Sequence, residues 1–150
     1  FQRKLLASVE HRILRFRQRI DPRFAALDHI HIDTGSSRSV DMTYTSAADI
    51  YLGDVSSQIY EYIEKPRPAI FLNSHDAKWQ GNANYEHWTF GPVLDDLAGL
   101  GAALDAVSPL SDAYRQIQTA AFAYSFDMNG GNPPSQRAAT AIAEFMDLPQ

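Results

Sequence analysis

The sequence predicts an α/β domain built on a parallel sheet with flanking helices, and three observations lead there. Short apolar segments of strand length, at about His29 to Ile32, Ile50 to Gly53 and Ala69 to Leu72, are bounded by turn residues. Between and after them run segments with helical apolar spacing, opened by a Ser or Asp that suits a helix cap. Strands that alternate with helices pair in parallel, because a helical crossover returns the chain to the same end of the sheet. A chain of 150 residues, 45% hydrophobic and 21% charged, can bury one core.

Taken in order, Gln2 to about Ile20 carries Leu5, Leu6, Val9, Ile13, Phe16 and Ile20 at close to helical spacing, with arginines on much of the rest. This basic amphipathic helix reads either as a surface helix whose arginines lie over apolar neighbours or as contact with an anionic membrane surface. Pro22 opens a short helical turn through Phe24 and Leu27. His29 to Asp33 alternates strictly, so a strand here points His29, His31 and Asp33 to one face, either as metal ligands or as polar groups at a cleft. No further His or carboxylate pair has matching spacing, and no metal is expected. Thr34 to Ser39 is a Gly/Ser loop that offers Arg38 to an anion, and Ser39 or Asp41 caps a helix through Met42 and Tyr44 that ends near Ala48.

The stretch from Asp49 to Asn73 is the centre of the reading: strand, tight turn, helix, strand. Ile50, Tyr51 and Leu52 suit a strand buried on both faces, and Gly53 starts the turn with backbone angles closed to other residues. Asp54 or Ser56 caps the helix, and Ser56 and Ser57 sit where its first amides have no internal partner. Such an end attracts phosphate through free amides, the helix dipole and the two hydroxyls. Glu61, four residues after Ser57, shares its helical face and offers a carboxylate to a ribose diol. The same residues equally serve a turn and a cap with no ligand.

Lys65-Pro66-Arg67-Pro68 stops this helix before the strand from Ala69 to Leu72. Asn73 to Phe90 mixes polar and aromatic groups beyond the strand's carboxyl end, with Asn73, His75, Lys78, Trp79, His87 and Trp88 among them. It is either a ligand-facing loop, with Asn73, Lys78, Trp79 and Trp88 toward the ligand, or a compact segment folded onto the domain by Trp79, Tyr85 and Trp88. Gly91 to Leu94 is extended. Asp95 or Asp96 then caps a helix with Leu97, Leu100, Ala103, Leu104 and Val107 on its apolar side, ended by Pro109. A helix follows from about Ser111 to Ala123, then the break Asn129 to Pro134, and Ser135 caps a last helix through Ala138, Ile142 and Phe145.

Composition excludes several functions. With no Cys there is neither a disulfide framework nor a thiolate metal site, which fits a reducing compartment. From Phe24 onward six Lys and Arg face sixteen Asp and Glu, so nucleic acid is not an expected partner. No apolar run reaches the length of a membrane span, and FQRKLL is neither a signal peptide nor an initiator, so the chain reads as a fragment.

Asp54, Ser56, Ser57, Glu61, Pro66, Pro68 and the strand from Ala69 to Leu72 together resemble the nucleotide-binding half of the CDP-glycerol glycerophosphotransferase (teichoic-acid polymerase-like) family. The similarity extends from about Ile30 to about Val107. Family members carry Thr-Asp-Tyr-Ser-Ser at the turn, where this chain has Gly53-Asp54-Val55-Ser56-Ser57, and the segment from Ser74 to Phe90 is richer in Trp, His and Asn. The resemblance implies the Rossmann-like C-terminal domain of a GT-B transferase, 1–150 being one nucleotide-donor-binding domain without its N-terminal partner domain. It implies donor phosphates on Asp54, Ser56, Ser57 and Arg38, ribose on Glu61, and no cofactor. The implied partners are a nucleotide-activated donor (CDP-glycerol or a nucleotide sugar), an envelope polymer or lipid-linked acceptor, and the N-terminal domain. The implied location is cytoplasmic, peripheral at the inner face of the cell membrane if the basic helix docks there.

His75 and His87 are the candidates within the chain for a catalytic base, although the resemblance implies that the base comes from the other domain. The alternative function is a non-catalytic nucleotide- or ligand-binding domain of the same fold. A serine hydrolase is discounted, because a nucleophile elbow needs Gly two residues after the Ser, and here Gln58 and Ile59 stand there.

Overall fold

The computed structural model describes residues 21–128 and 130–146. The basic helix expected at Gln2 to Ile20, and Asn129 of the predicted break, lie outside the described residues. The chain divides into two compact units, Phe1–Tyr44 and Thr45–Gln150.

In the first unit, α1 (Pro22–Ala25) is capped by Asp21, whose carboxylate accepts from the Arg23 amide and pairs with its guanidinium. The strand expected at His29 to Ile32 does not form. Its alternation is present, but the Ile30 amide donates to the Leu27 carbonyl in a turn. His31 shares a 2.7 Å hydrogen bond with the Tyr44 hydroxyl instead of standing beside a neighbouring strand. The next helix is also interrupted: α2 (Ser37–Val40) is capped by Ser36, and Met42 adopts a left-handed φ of 61° before α3 (Thr43–Ala47). Asp41, which ends α2, accepts from the Thr43 amide and hydroxyl at the start of α3, while Ser39 donates back to the Ser36 carbonyl.

The second unit is a mixed α/β fold on a small parallel sheet in the order β1-β2-β3. β1 (Tyr51–Gly53) pairs with β2 (Ala69–Leu72), Leu52 beside Ile70, and β2 pairs with β3 (Val93–Leu94), Leu72 beside Leu94. The extended piece predicted at Gly91 to Leu94 thus contains the third strand in its last two residues. Between β1 and β2 lies α4 (Gln58–Tyr62); a 3₁₀ segment (Ala83–Phe90) precedes β3; α5 (Leu100–Val107), α6 (Asp112–Ser125) and α7 (Pro134–Phe145) follow. The main core cluster joins Ile59 and Tyr62 of α4, Ile63 just after it, Ala69 and Phe71 of β2, and Trp88 and Phe90 of the 3₁₀ segment. α6 packs on α4 and the 3₁₀ segment, and α5 packs on β2.

Two sequence expectations change in physical detail. β1 is an edge strand, so Leu52 remains 45% exposed and the strand is not buried on both faces. Caps shift as well: Ser111, expected as the start of a helix, is the N-cap of α6, while α5 starts after Gly99 and α7 after Pro133, neither with a side-chain cap. Asp96 instead accepts from the Ala98 amide, Asp95 is held elsewhere, and Ser135 lies within α7.

Candidate functional site

Parallel strands open their carboxyl ends on one edge, where ligands of such sheets bind. At the end of β1, Gly53 does not use a left-handed conformation. A side chain there would meet the Tyr51 phenol, with a Cβ 2.5 Å from its hydroxyl. Tyr51 itself packs on Tyr62 and Phe71. Burial raises the Tyr51 pKa, against a hydrogen bond from Ser56. The turn is therefore shaped by close approach.

The Ser56 hydroxyl accepts from the Gln58 amide at 3.3 Å, while Ser57 stands at the N-cap position with no side-chain cap bond. The Ile59 and Tyr60 amides already bond to the Ser56 and Ser57 carbonyls. Fewer amides are thus open at this end than the sequence suggests, and the exposed Ser57 hydroxyl is the main uncommitted group. Glu61 is exposed on the same short helix. Asp54 enters through its backbone: the Trp88 Nε1 donates to its carbonyl at 2.9 Å, fastening the turn after β1 to the segment before β3.

That contact changes the reading of the long loop. Trp88, expected to face a ligand, is 2% exposed and sits in the core against Phe71, Tyr85 and Trp79. His87 is 7% exposed and edge-on to Phe71, and its Nε2 has no hydrogen-bond partner. Burial lowers its pKa, opposed in part by the Asp54 carbonyl, so the ring is neutral at pH 7 and closed to substrate. His75 is exposed.

The aromatic segment folds onto the domain and leaves two clefts, with Trp79 in the wall of each. One, of about 310 Å³, lies among Trp79, Asn82, Tyr85, Glu86 and Thr89. The other, of about 400 Å³, brings together Asn73, Lys78 and Trp79 with Asp76, Gln80 and Asp95.

Arg38 belongs to the first unit, in a polar cleft of about 360 Å³ with His31, Asp33, Ser36 and Tyr44. Asp33 is not a metal ligand in waiting. Its carboxylate accepts from the Gly35 and Ser36 amides at 2.7 Å and from the Ser36 hydroxyl, which hold it well below the usual carboxylate range. Among the described residues no group of three or more His, Asp or Glu could hold a metal. Nor does any described helix have the length and apolarity to cross a membrane.

Sequence reasoning missed Asp95 as a site residue, having assigned it to a helix cap. The available signal was its register: Val93-Leu94 is a strand, so Asp95 stands at the carboxyl end beside Asn73. No family model, curated protein or solved structure matches the chain.

Proposed function

We propose that the chain is the donor-binding domain of a transferase that moves glycerol phosphate or a sugar from a nucleotide-activated donor to a cell-envelope polymer. The observation that carries this reading is the bond from Trp88 Nε1 to the Asp54 carbonyl, 2.9 Å, which holds the Ser56-Ser57 turn and the segment after β2 together. That is the edge at which parallel α/β sheets bind nucleotides. The β1-α4-β2 unit then corresponds to part of a Rossmann-like, GT-B C-terminal domain. The uncommitted Ser57 hydroxyl supports a phosphate contact there, with Glu61 toward the ribose. In this reading the base comes from the partner domain.

A second reading, nucleotide binding without catalysis, is favoured by the burial of His87, which leaves His75 as the exposed one of the two His candidates.

Calorimetry of the chain against CDP-glycerol, CDP, UDP and GDP tests the proposal. Ser57→Ala should cost about 0.5–1.5 kcal/mol of affinity, the net value of one hydrogen bond. Ser57→Asp should abolish binding while keeping Tm, because a carboxylate repels the phosphate yet suits an N-cap. Unchanged nucleotide affinity in Ser57→Asp, or no binding by the unsubstituted chain, overturns the reading.

A further inference from the structure

We propose that the cleft at the ends of β2 and β3 binds a neutral polyol or sugar unit, with Asp95 as its hydroxyl acceptor. Leu72 and Leu94 are paired across the strands, so Asn73 and Asp95 are the next residues on adjacent carboxyl ends, and the Asn73 amide donates to the Leu94 carbonyl at 2.7 Å. Asn73 is 5% exposed and its side chain is wholly committed. Its Nδ2 donates to Asp95 Oδ1 at 2.8 Å and to the Ala77 carbonyl at 3.3 Å, and its Oδ1 accepts from the Ala77 amide at 2.7 Å. A buried amide thereby fixes an exposed carboxylate, which keeps its second oxygen free of hydrogen bonds within the described residues.

The remaining wall supplies what a hydroxylated ligand needs. Asp76 and Asp95 accept, Lys78 donates, Gln80 does both, and Trp79 offers an aromatic surface, around a volume of about 400 Å³. Charge selects the class. Two carboxylates against one ammonium disfavour a phosphate or another anion, whereas neutral hydroxyls both donate to carboxylates and accept from an ammonium. A nucleotide diphosphate therefore does not belong in this cleft. On the transferase reading, which this inference uses only to give the bound unit a role, the occupant is the polyol or sugar at the growing end of the acceptor.

The test is an NMR titration of the chain with glycerol, ribitol, glucose and N-acetylglucosamine, with inorganic phosphate as the anionic probe. The chain has only two Trp, so each indole signal is easily assigned. At least one neutral probe should shift the Trp79 indole and the Ala77 amide and leave the buried Trp88 indole in place; phosphate should not. Asp95→Asn retains an oxygen for the bond from Asn73 but turns the open acceptor into a donor. It should weaken binding about tenfold with Tm unchanged. No shift with any neutral probe, preferential binding of phosphate, or equal affinity in Asp95→Asn would overturn the proposal. Nucleotide binding measured on the same samples reports separately on the Ser56-Ser57 turn, so either reading can fail without the other.

Discussion

Gln118 has no exposed surface, yet each polar atom of its side chain is used. Its Nε2 donates to the Arg67 and Phe90 carbonyls at 2.9 and 2.8 Å, and its Oε1 accepts from the Arg67 amide at 2.9 Å. The amide stands in for a strand neighbour. Pro66 and Pro68 lack N–H groups, so the Arg67 peptide between them cannot join a regular ladder. Arg67 in turn donates to the Thr45, Ser46, Tyr62 and Lys65 carbonyls and stacks 4.1 Å from the centre of the Tyr62 ring. With its guanidinium spent in this way, Arg67 is a structural cation and not an anion ligand. Gln118→Leu should cost about 2–4 kcal/mol, because three backbone groups around the buried amide lose their partner, and urea unfolding at constant m-value measures it. A loss under about 1 kcal/mol would mean that water replaces the amide. Nothing in the sequence marks Gln118: a polar residue on an amphipathic helix reads as solvent-facing, and its partners lie 51 and 28 residues away.

Among the elements, the β1-α4-β2 unit was legible because its signals are local: an apolar run, a capped start and a Pro-containing stop. β3 was seen only as an extended piece, since a two-residue strand has no period of its own and forms because β2 offers it a ladder. The opposite error at His29 to Ile32 has the same cause: alternation describes a strand but does not supply a neighbour. Long-range bonds also moved the caps, since Asp95 is drawn to Asn73 and α5 begins later. The approach of β3 to β2 rests on Gly91. Its φ of −168° is ordinary extended backbone, so conformational freedom is not the reason for glycine; an added Cβ would stand 1.9 Å from the Ala69 carbonyl oxygen. Gly91→Ala must push the segment off β2 and should cost about 2–4 kcal/mol. Gly81 is the control: its φ is +73° and its Cβ position is open, so Gly81→Ala should cost only about 1 kcal/mol of backbone strain. Thermal melts of the two variants that ranked Gly81→Ala as the worse would reject the contact as the cause.

At the scale of the whole molecule, buried titratable rings set the pH range of stability. His87 is buried, and burial lowers its folded pKa below the ordinary 6.5. Above that value both folded and unfolded chains are neutral at this ring, and it adds no pH dependence. As pH falls below about 6.5, the unfolded chain takes up a proton that the folded chain resists, so stability declines by at most about 1.4 kcal/mol per pH unit until the folded pKa is reached. Asp21, Asp33 and Asp41 act in a separate, more acid window. Hydrogen bonds depress their folded pKa values, so their stabilisation is present above the ordinary carboxylate range and lost as pH falls below it. On the alkaline side, desolvation pushes Tyr62 up to about 12, while its hydroxyl donates to the Asp49 and Pro68 carbonyls. An unfolded Tyr ionises near pH 10, so stability is held below that and lost as pH rises toward the folded value. Tm should therefore be flat from about pH 7 to 9, with an acid shoulder beginning near 6.5 and an alkaline fall beginning near 10. His87→Leu, which keeps the site apolar and untitratable, should remove the acid shoulder down to the carboxylate range and leave the alkaline fall unchanged. If unsubstituted protein melts at the same temperature at pH 5 and pH 7, or if the shoulder persists in His87→Leu, then His87 is not what limits the fold in acid.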